Sequence, residues 1–184
     1  MICPPDSEVA DHGQYTEIAD VLNAWQNDKE AVDPWKNRGY ACIGLDNPLD
    51  LKNVGAVLRA AGCFGVSMVA MSGTRFRKQS TDVAHDYRRI PFLCVDDLNA
   101  VIPFHCVPVA VELVEGAVPL HDYVHPDCAF YVFGGEDATL GKRVLSWCRD
   151  VVMIPTRGCL NLAACVNVVL YDRLQKKMRK TMKT

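Results

Sequence analysis

From residue 40 onward, short apolar runs alternate with stretches of helical spacing, and this alternation constrains the fold more than any other feature of the chain. Residues 40–45, 66–71, 92–95, 107–113, 129–133 and 151–154 read as buried strands bounded by Gly, Pro, Asn and Asp. Residues 52–63, 96–102, 140–148 and 162–176 read as helices between them. Strands that alternate with helices predict an α/β fold, a mainly parallel sheet flanked by helices on both faces. Ligands of such sheets bind beyond the carboxyl ends of the strands. The segments that matter are therefore 46–53, 71–89, 134–139 and 155–161.

Ahead of this pattern, residues 1–14 read as a loose leader. Ile18, Val21, Leu22 and Trp25 then mark an amphipathic helix over 16–27, broken at Asp33-Pro34. The expected organisation is an N-terminal extension with one helix over 1–39, one α/β domain over 40–177, and a basic tail over 178–184. The chain has 184 residues and a net charge of −2, but the charge is unevenly spread. Residues 1–34 hold eight acids and one base, which leaves the remainder at +5. The bases concentrate in Arg75, Arg77, Lys78, Arg88 and Arg89, and again in Arg173, Lys176, Lys177, Arg179, Lys180 and Lys183. Such clusters suit a nucleic-acid surface; charge alone equally describes solvated faces and a frayed tail, and favours the latter.

Nine cysteines spread from Cys3 to Cys165 form no CxxC pair, and their number is odd. Several lie in apolar segments, where a free thiol packs as a small hydrophobe, so reduced cysteines are expected. The acidic start carries no signal-peptide pattern, and no apolar run approaches a membrane span. A cytoplasmic protein without a membrane partner is the expectation. No GxGxxG, GxxxxGK[ST] or GxSxG occurs, which leaves the common nucleotide cradles and the serine-hydrolase elbow without their residues. His121, His125 and Cys128 are spaced for a metal, but Pro126 interrupts them and no fourth ligand is evident. They read as surface loop residues, and no metal is expected. Cys159 reads as a packing cysteine, since no histidine in the neighbouring strand-end segments would activate it.

Three strand-end segments remain. In the first, Asn53 and Gly55 open an apolar helix that carries a single cation, Arg59. Asn53 can cap the helix or bond loop backbone. Arg59 in that setting calls for a ligand or a core carboxylate. In the second, a strand ends in Gly134-Gly135-Glu136. The two glycines either offer bare backbone to an adenine or a carboxylate, or simply turn the chain, with Glu136 capping the next helix. In the third, Ile154-Pro155 and a loop lead to Leu160-Asn161 and a helix so apolar that it must be buried on more than one side. Asn161 is its natural cap.

In this order, the three segments resemble the signature motifs of the SpoU (TrmH-like) branch of the SPOUT RNA methyltransferases. Those motifs are N-x-G-x-x-x-R, a strand ending G-x-E, and I-P…S-L-N-x-(A/S). Here they read Asn53…Arg59, Gly134-Gly135-Glu136, and Ile154-Pro155…Cys159-Leu160-Asn161. The resemblance covers roughly 41–176. It implies a SPOUT-type α/β domain over 40–177 with a C-terminal trefoil knot, and a homodimer in which the last helix meets its partner. It also implies S-adenosyl-L-methionine as cofactor, held at Gly134, Ile154 and Leu160. The implied reaction is methylation of a ribose 2′-hydroxyl in tRNA or rRNA, with Arg59 as the essential cation and Asn53, Glu136 and Asn161 orienting it and the loops.

Three departures stand out. Cys159 replaces the usual serine, Thr139 replaces a usual glycine, and the loop from Pro155 to Leu160 is short. A catalytically degenerate member that binds RNA without modifying it is the alternative these departures raise. Given the resemblance, the five cations Arg75, Arg77, Lys78, Arg88 and Arg89, interleaved with Phe76 and Tyr87, read as an RNA contact for phosphates and stacked bases. The 173–184 tail is left open between RNA attraction and plain solvation.

Overall fold

Apolar side chains on alternate strand positions sort into two sets, and one set lies on each face of a single sheet. A computed structural model describes residues 39–73 and 89–181. By internal contacts the chain divides into two units, Met1–Lys36 and Asn37–Thr184, and all the described residues belong to the second. The expected helix over 16–27 and the cations Arg75, Arg77, Lys78 and Arg88 lie outside the described residues.

The strands are β1 (Ala41–Asp46), β2 (Met68–Ser72), β3 (Phe92–Val95), β4 (Val107–Val111), β5 (Val118–Pro119), β6 (Ala129–Gly134) and β7 (Asp150–Met153). They pair in the order β3-β2-β1-β6-β4-β7-β5, every pair parallel. One face buries Ile43, Leu45, Val69, Val109, Tyr131, Phe133 and Val152 under two helices, α1 (Leu51–Cys63) and, later in the chain, α3 (Leu162–Thr181). Helix α1 turns Val54, Val57, Leu58 and Ala61 inward, and α3 turns Leu162, Val166, Val169 and Leu170 inward. The other face buries Cys42, Ala70, Ala110, Phe130 and Val132 beneath Leu98, Leu140 and Val144. A sheet covered on both faces explains why its strands are almost continuously apolar.

The layer over the second face is thinner than the sequence implies. The expected helix over 96–102 is a 3-10 turn, Leu98–Val101, whose Asp97 side chain accepts from the Asn99 N–H before Pro103 stops the turn. The expected helix over 140–148 contracts to one turn, α2 (Lys142–Leu145). Arg149 N–H must already bond Pro108 O at 2.9 Å to start β7, which leaves no room for a longer helix after Gly141. Strand β5 was not expected, since the two residues Val118–Pro119 carry too little pattern to read as a strand.

The C-terminal helix also corrects two expectations. Arg173 and Lys176 do not face solvent as part of a basic tail. Arg173 is buried and donates to the carbonyls of Pro126, Asp127 and Tyr40 at 2.6, 2.6 and 3.1 Å, and to Tyr131 Oη at 3.1 Å. Lys176 donates to the carbonyls of Leu120 and Tyr123 and pairs with Asp172 at 2.6 Å. His125 is likewise no surface residue, its side chain being 3% exposed. A carboxylate only accepts, so His125 Nε2–H donates to Asp172 Oδ2 (2.8 Å), which leaves Nδ1 to accept from Tyr131 Oη (2.6 Å). Burial lowers the His125 pKa to about 4. Asp172 opposes this, but Lys176 already compensates its charge and Arg173 pushes the imidazole the same way as burial. The histidine is therefore neutral, and it helps to anchor α3 to β6 and to the chain before it.

No helix among the described residues is long and apolar enough to cross a membrane. Among them, no group of His, Cys, Asp and Glu is arranged to hold a metal ion.

Candidate functional site

Strand order, more than sequence separation, decides which residues meet. β1 lies beside β6 with Asp46 opposite Gly134; β6 lies beside β4 with Val111 opposite Phe133; β4 lies beside β7 with Val111 opposite Val152. The carboxyl ends of four strands therefore stand in a row, and the segments that leave them share one edge of the sheet.

Helix α1 starts just past the end of β1. Its cap is Asp50, whose side chain accepts from the Lys52 N–H at 2.8 Å. Asn53 is thus not the cap and can reach across. Its Nδ2 donates to Glu136 Oε1, and its Oδ1 accepts from Asn161 Nδ2 at 2.8 Å. Asn161 in turn caps α3, its Oδ1 accepting from the Ala163 and Ala164 N–H groups at 2.9 and 3.3 Å. The second oxygen of Glu136 accepts from Leu49 N–H at 2.7 Å. Glu136 therefore does not cap the next helix; it ties the loop after β6 back to the loop after β1. Burial pushes its carboxyl pKa up, but the hydrogen bonds from Leu49 and Asn53 outweigh this and hold it below the usual range.

Two glycines make the close approach possible. A Cβ on Gly135 would stand 2.6 Å from the carbonyl oxygen of Asn47, so only glycine brings β6's exit this close to β1's. At the end of β2, Gly73 has φ +105°, and a Cβ there would lie 2.4 Å from Asn47 Oδ1.

Beside this hydrogen-bonded chain opens a cavity of about 330 Å³, within the size range of small-molecule sites. Its walls come from the loop after β6 (Gly134 to Thr139), the end of β4 (Val111, Glu112, Leu113), and the run from Ile154 through Cys159 and Leu160 to Leu162 and Cys165. Gly134, Ile154 and Leu160, singled out from the sequence, all border it, as do Glu136 and the two departures Cys159 and Thr139. Burial, with help from neighbouring Cys159 and Glu112, pushes the Cys165 thiol up. Within the third segment, Thr156 Oγ1 donates to Gly158 O at 2.7 Å and keeps the short loop tight.

Arg59 stands apart from the cavity. It is exposed on the face of α1 turned away from the core, and its side chain makes no hydrogen bond or ion pair among the described residues. The core-carboxylate alternative does not apply to it. Arg89 is exposed in the turn before β3.

Glu112 escaped sequence reasoning. It directly follows β4, and its carboxylate accepts from the Leu140 N–H at 2.7 Å and the Leu113 N–H at 2.8 Å. The available signal was an acidic residue at the carboxyl end of a parallel strand, hidden because the strand reading ran on to residue 113.

Known proteins share this fold. Residues 16–171 match the SpoU rRNA Methylase family. The 23S rRNA (guanosine-2'-O-)-methyltransferase RlmB of Acinetobacter baylyi is 25% identical over 165 residues, covering 83% of this chain and 66% of RlmB. The chain thus spans just under two thirds of that relative's length. Among solved structures, the TrmH/SpoU tRNA modifying enzyme of A. aeolicus superposes with a TM-score of 0.69 at 18% identity, covering 80% of each chain. The SpoU methyltransferase AviRb from Streptomyces viridochromogenes, in complex with AdoMet, superposes with a TM-score of 0.66 at 19% identity, covering 77% of this chain and 59% of AviRb.

Proposed function

The chain belongs to the SpoU rRNA methylase family, and from that premise we propose that it transfers a methyl group from S-adenosylmethionine to a ribose 2′-hydroxyl of tRNA or rRNA. The observation that carries the reading is the hydrogen-bonded chain Asn161–Asn53–Glu136–Leu49, which brings the three motif segments together beside the cavity. RlmB, named for 23S rRNA, and the A. aeolicus tRNA modifying enzyme suggest the two RNA classes.

The residues present fit the cofactor. Apolar walls and bare backbone suit an adenosine, and among the described residues the lining includes Glu112, Glu136 and Asp137 but no Lys, Arg or His. That donor set favours a ligand with net positive character around its sulfur. Gly134, Ile154 and Leu160 would hold it. When bound, S-adenosylmethionine supplies an electrophilic methyl on a positively charged sulfur. The protein has to align a weak nucleophile with that methyl and manage one proton. Arg59 presents an exposed guanidinium fork, so it serves best as a clamp on the phosphate next to the reacting ribose. Asn53, Glu136 and Asn161 fix the loops that set this geometry. They are positioning residues.

Around this site, the reading takes residues 40–177 as the methyltransferase domain, threads the chain beyond β7 as a trefoil knot, and places the protein in the cytoplasm. It pairs two copies through α3, where Val168 and Tyr171 are 39% and 60% exposed on a helix whose other face is buried in the core. Arg89, with Arg75, Arg77, Lys78 and Arg88, adds RNA contact.

The test is transfer of labelled methyl from S-adenosylmethionine to size-fractionated total RNA. The wild type should label one RNA class, and Arg59→Ala should lower labelling at least ~100-fold, as loss of a transition-state-orienting group does. Equal labelling by both proteins would remove Arg59 from the mechanism. No labelling by a folded wild type would support the degenerate RNA-binding alternative instead.

A further inference from the structure

Among the described residues, three carboxylates border the cavity, and they are not equivalent. Glu136 and Asp137 are exposed, and both oxygens of Glu136 are engaged by Leu49 and Asn53. Glu112 is half-buried between apolar walls, where charge is poorly screened by solvent and salt. Both of its oxygens are fixed by backbone donors, Leu140 N–H at 2.7 Å and Leu113 N–H at 2.8 Å. The first of these bonds pins the far end of the loop after β6 to the end of β4.

That tether alone does not account for a carboxylate. A neutral acceptor would bond a backbone N–H without the cost of desolvating a charge. A carboxylate oxygen that accepts one N–H also keeps a second acceptor site, so Glu112 can face the loop and the cavity together. Resting on the methyl-donor reading above, we infer that Glu112 is a specificity-determining residue: its charge favours the sulfonium form of the cofactor over the neutral-sulfur product left after transfer. The residue would then help to load the donor and release the spent product from one pocket.

The two ligands to compare are S-adenosylmethionine and S-adenosylhomocysteine, which differ by the methyl and its positive charge. Calorimetric titration of the purified full chain gives a dissociation constant for each, with no RNA and no turnover. Glu112→Gln should weaken S-adenosylmethionine binding about tenfold and S-adenosylhomocysteine binding no more than about twofold. Glu112→Asp keeps the charge but shortens the reach, so it should retain the wild-type ratio of the two constants even where both weaken. A purely structural tether would move both ligands together in Glu112→Gln; that result, or no change in either constant, overturns the inference while leaving the methyl-donor reading standing. A folded wild type that binds neither ligand overturns the reading itself and the inference with it.

Discussion

Asn161 does two things with one carboxamide: its oxygen caps α3, and its nitrogen bonds Asn53. The two roles can be separated. Asn161→Asp keeps an acceptor for the helix N–H groups and places negative charge at a helix N-terminus, which is favourable. It cannot donate to Asn53, and no flip of the Asn53 amide then satisfies both Glu136 and the new carboxylate. The expected outcome is a folding stability within ~1 kcal/mol of wild type, together with methyl transfer reduced at least ~10-fold. Asn161→Ala loses both roles and should cost about 1 kcal/mol of stability as well. Denaturant melts and labelled-methyl assays on the same preparations check both outcomes. At this scale, the sequence made Asn53, Glu136 and Asn161 conspicuous as polar residues at strand ends, but not who bonds whom. That Asp50 caps α1 and releases Asn53 to Glu136 depends on the register that sets Asp46 against Gly134. Glu112 was passed over because the strand reading ran past it and its partner Leu140 lies 28 residues away.

Helix α3 carries the site at one end and the buried polar cluster of His125, Asp172, Arg173 and Lys176 toward the other. A cation at helical spacing looks the same in sequence whether it meets water or buried carbonyls. Only the course of residues 120–128 beside the helix decides it, and for Arg173 and Lys176 it decides for the carbonyls. The cluster predicts a pH dependence. His125 has a folded-state pKa near 4, below its ordinary value of 6.5. As pH falls through 6.5 the unfolded chain takes up a proton that the native protein refuses, so native stability declines progressively towards pH 4. Above pH 6.5 both states are neutral at this residue and the effect vanishes. His125→Gln, which keeps a donor and an acceptor but does not titrate, should lower the melting temperature at pH 7 and flatten its decline between pH 7 and pH 5. An unchanged slope would mean that His125 takes up its proton at the same pH in the native and the unfolded chain.

At the scale of the whole molecule, a mainly parallel sheet with two buried faces could be read from the alternation of strands and helices; that every pair is parallel came from the structure. Strand order could not be read from it, because it is fixed by which apolar faces find each other across the fold. The dimer belongs to this scale too. If two copies pair through α3, then Val168→Lys combined with Tyr171→Lys places like charges across the interface. Sedimentation should then show monomers, methyl transfer should be lost, and each monomer should still unfold cooperatively. Monomers with full activity would show that one chain completes its own site.

We propose that the edge where β1, β6, β4 and β7 end directs a methyl group to ribose. Alkali tests this most directly, because RNA cleavage by alkali needs a free 2′-hydroxyl at the cleaved position. RNA labelled by the wild-type protein is hydrolysed to completion in alkali and the products are separated. Label in an alkali-stable dinucleotide, which yields a 2′-O-methylnucleoside on enzymatic digestion, is the predicted result. Label confined to mononucleotides would place the methyl on a base and contradict the ribose assignment.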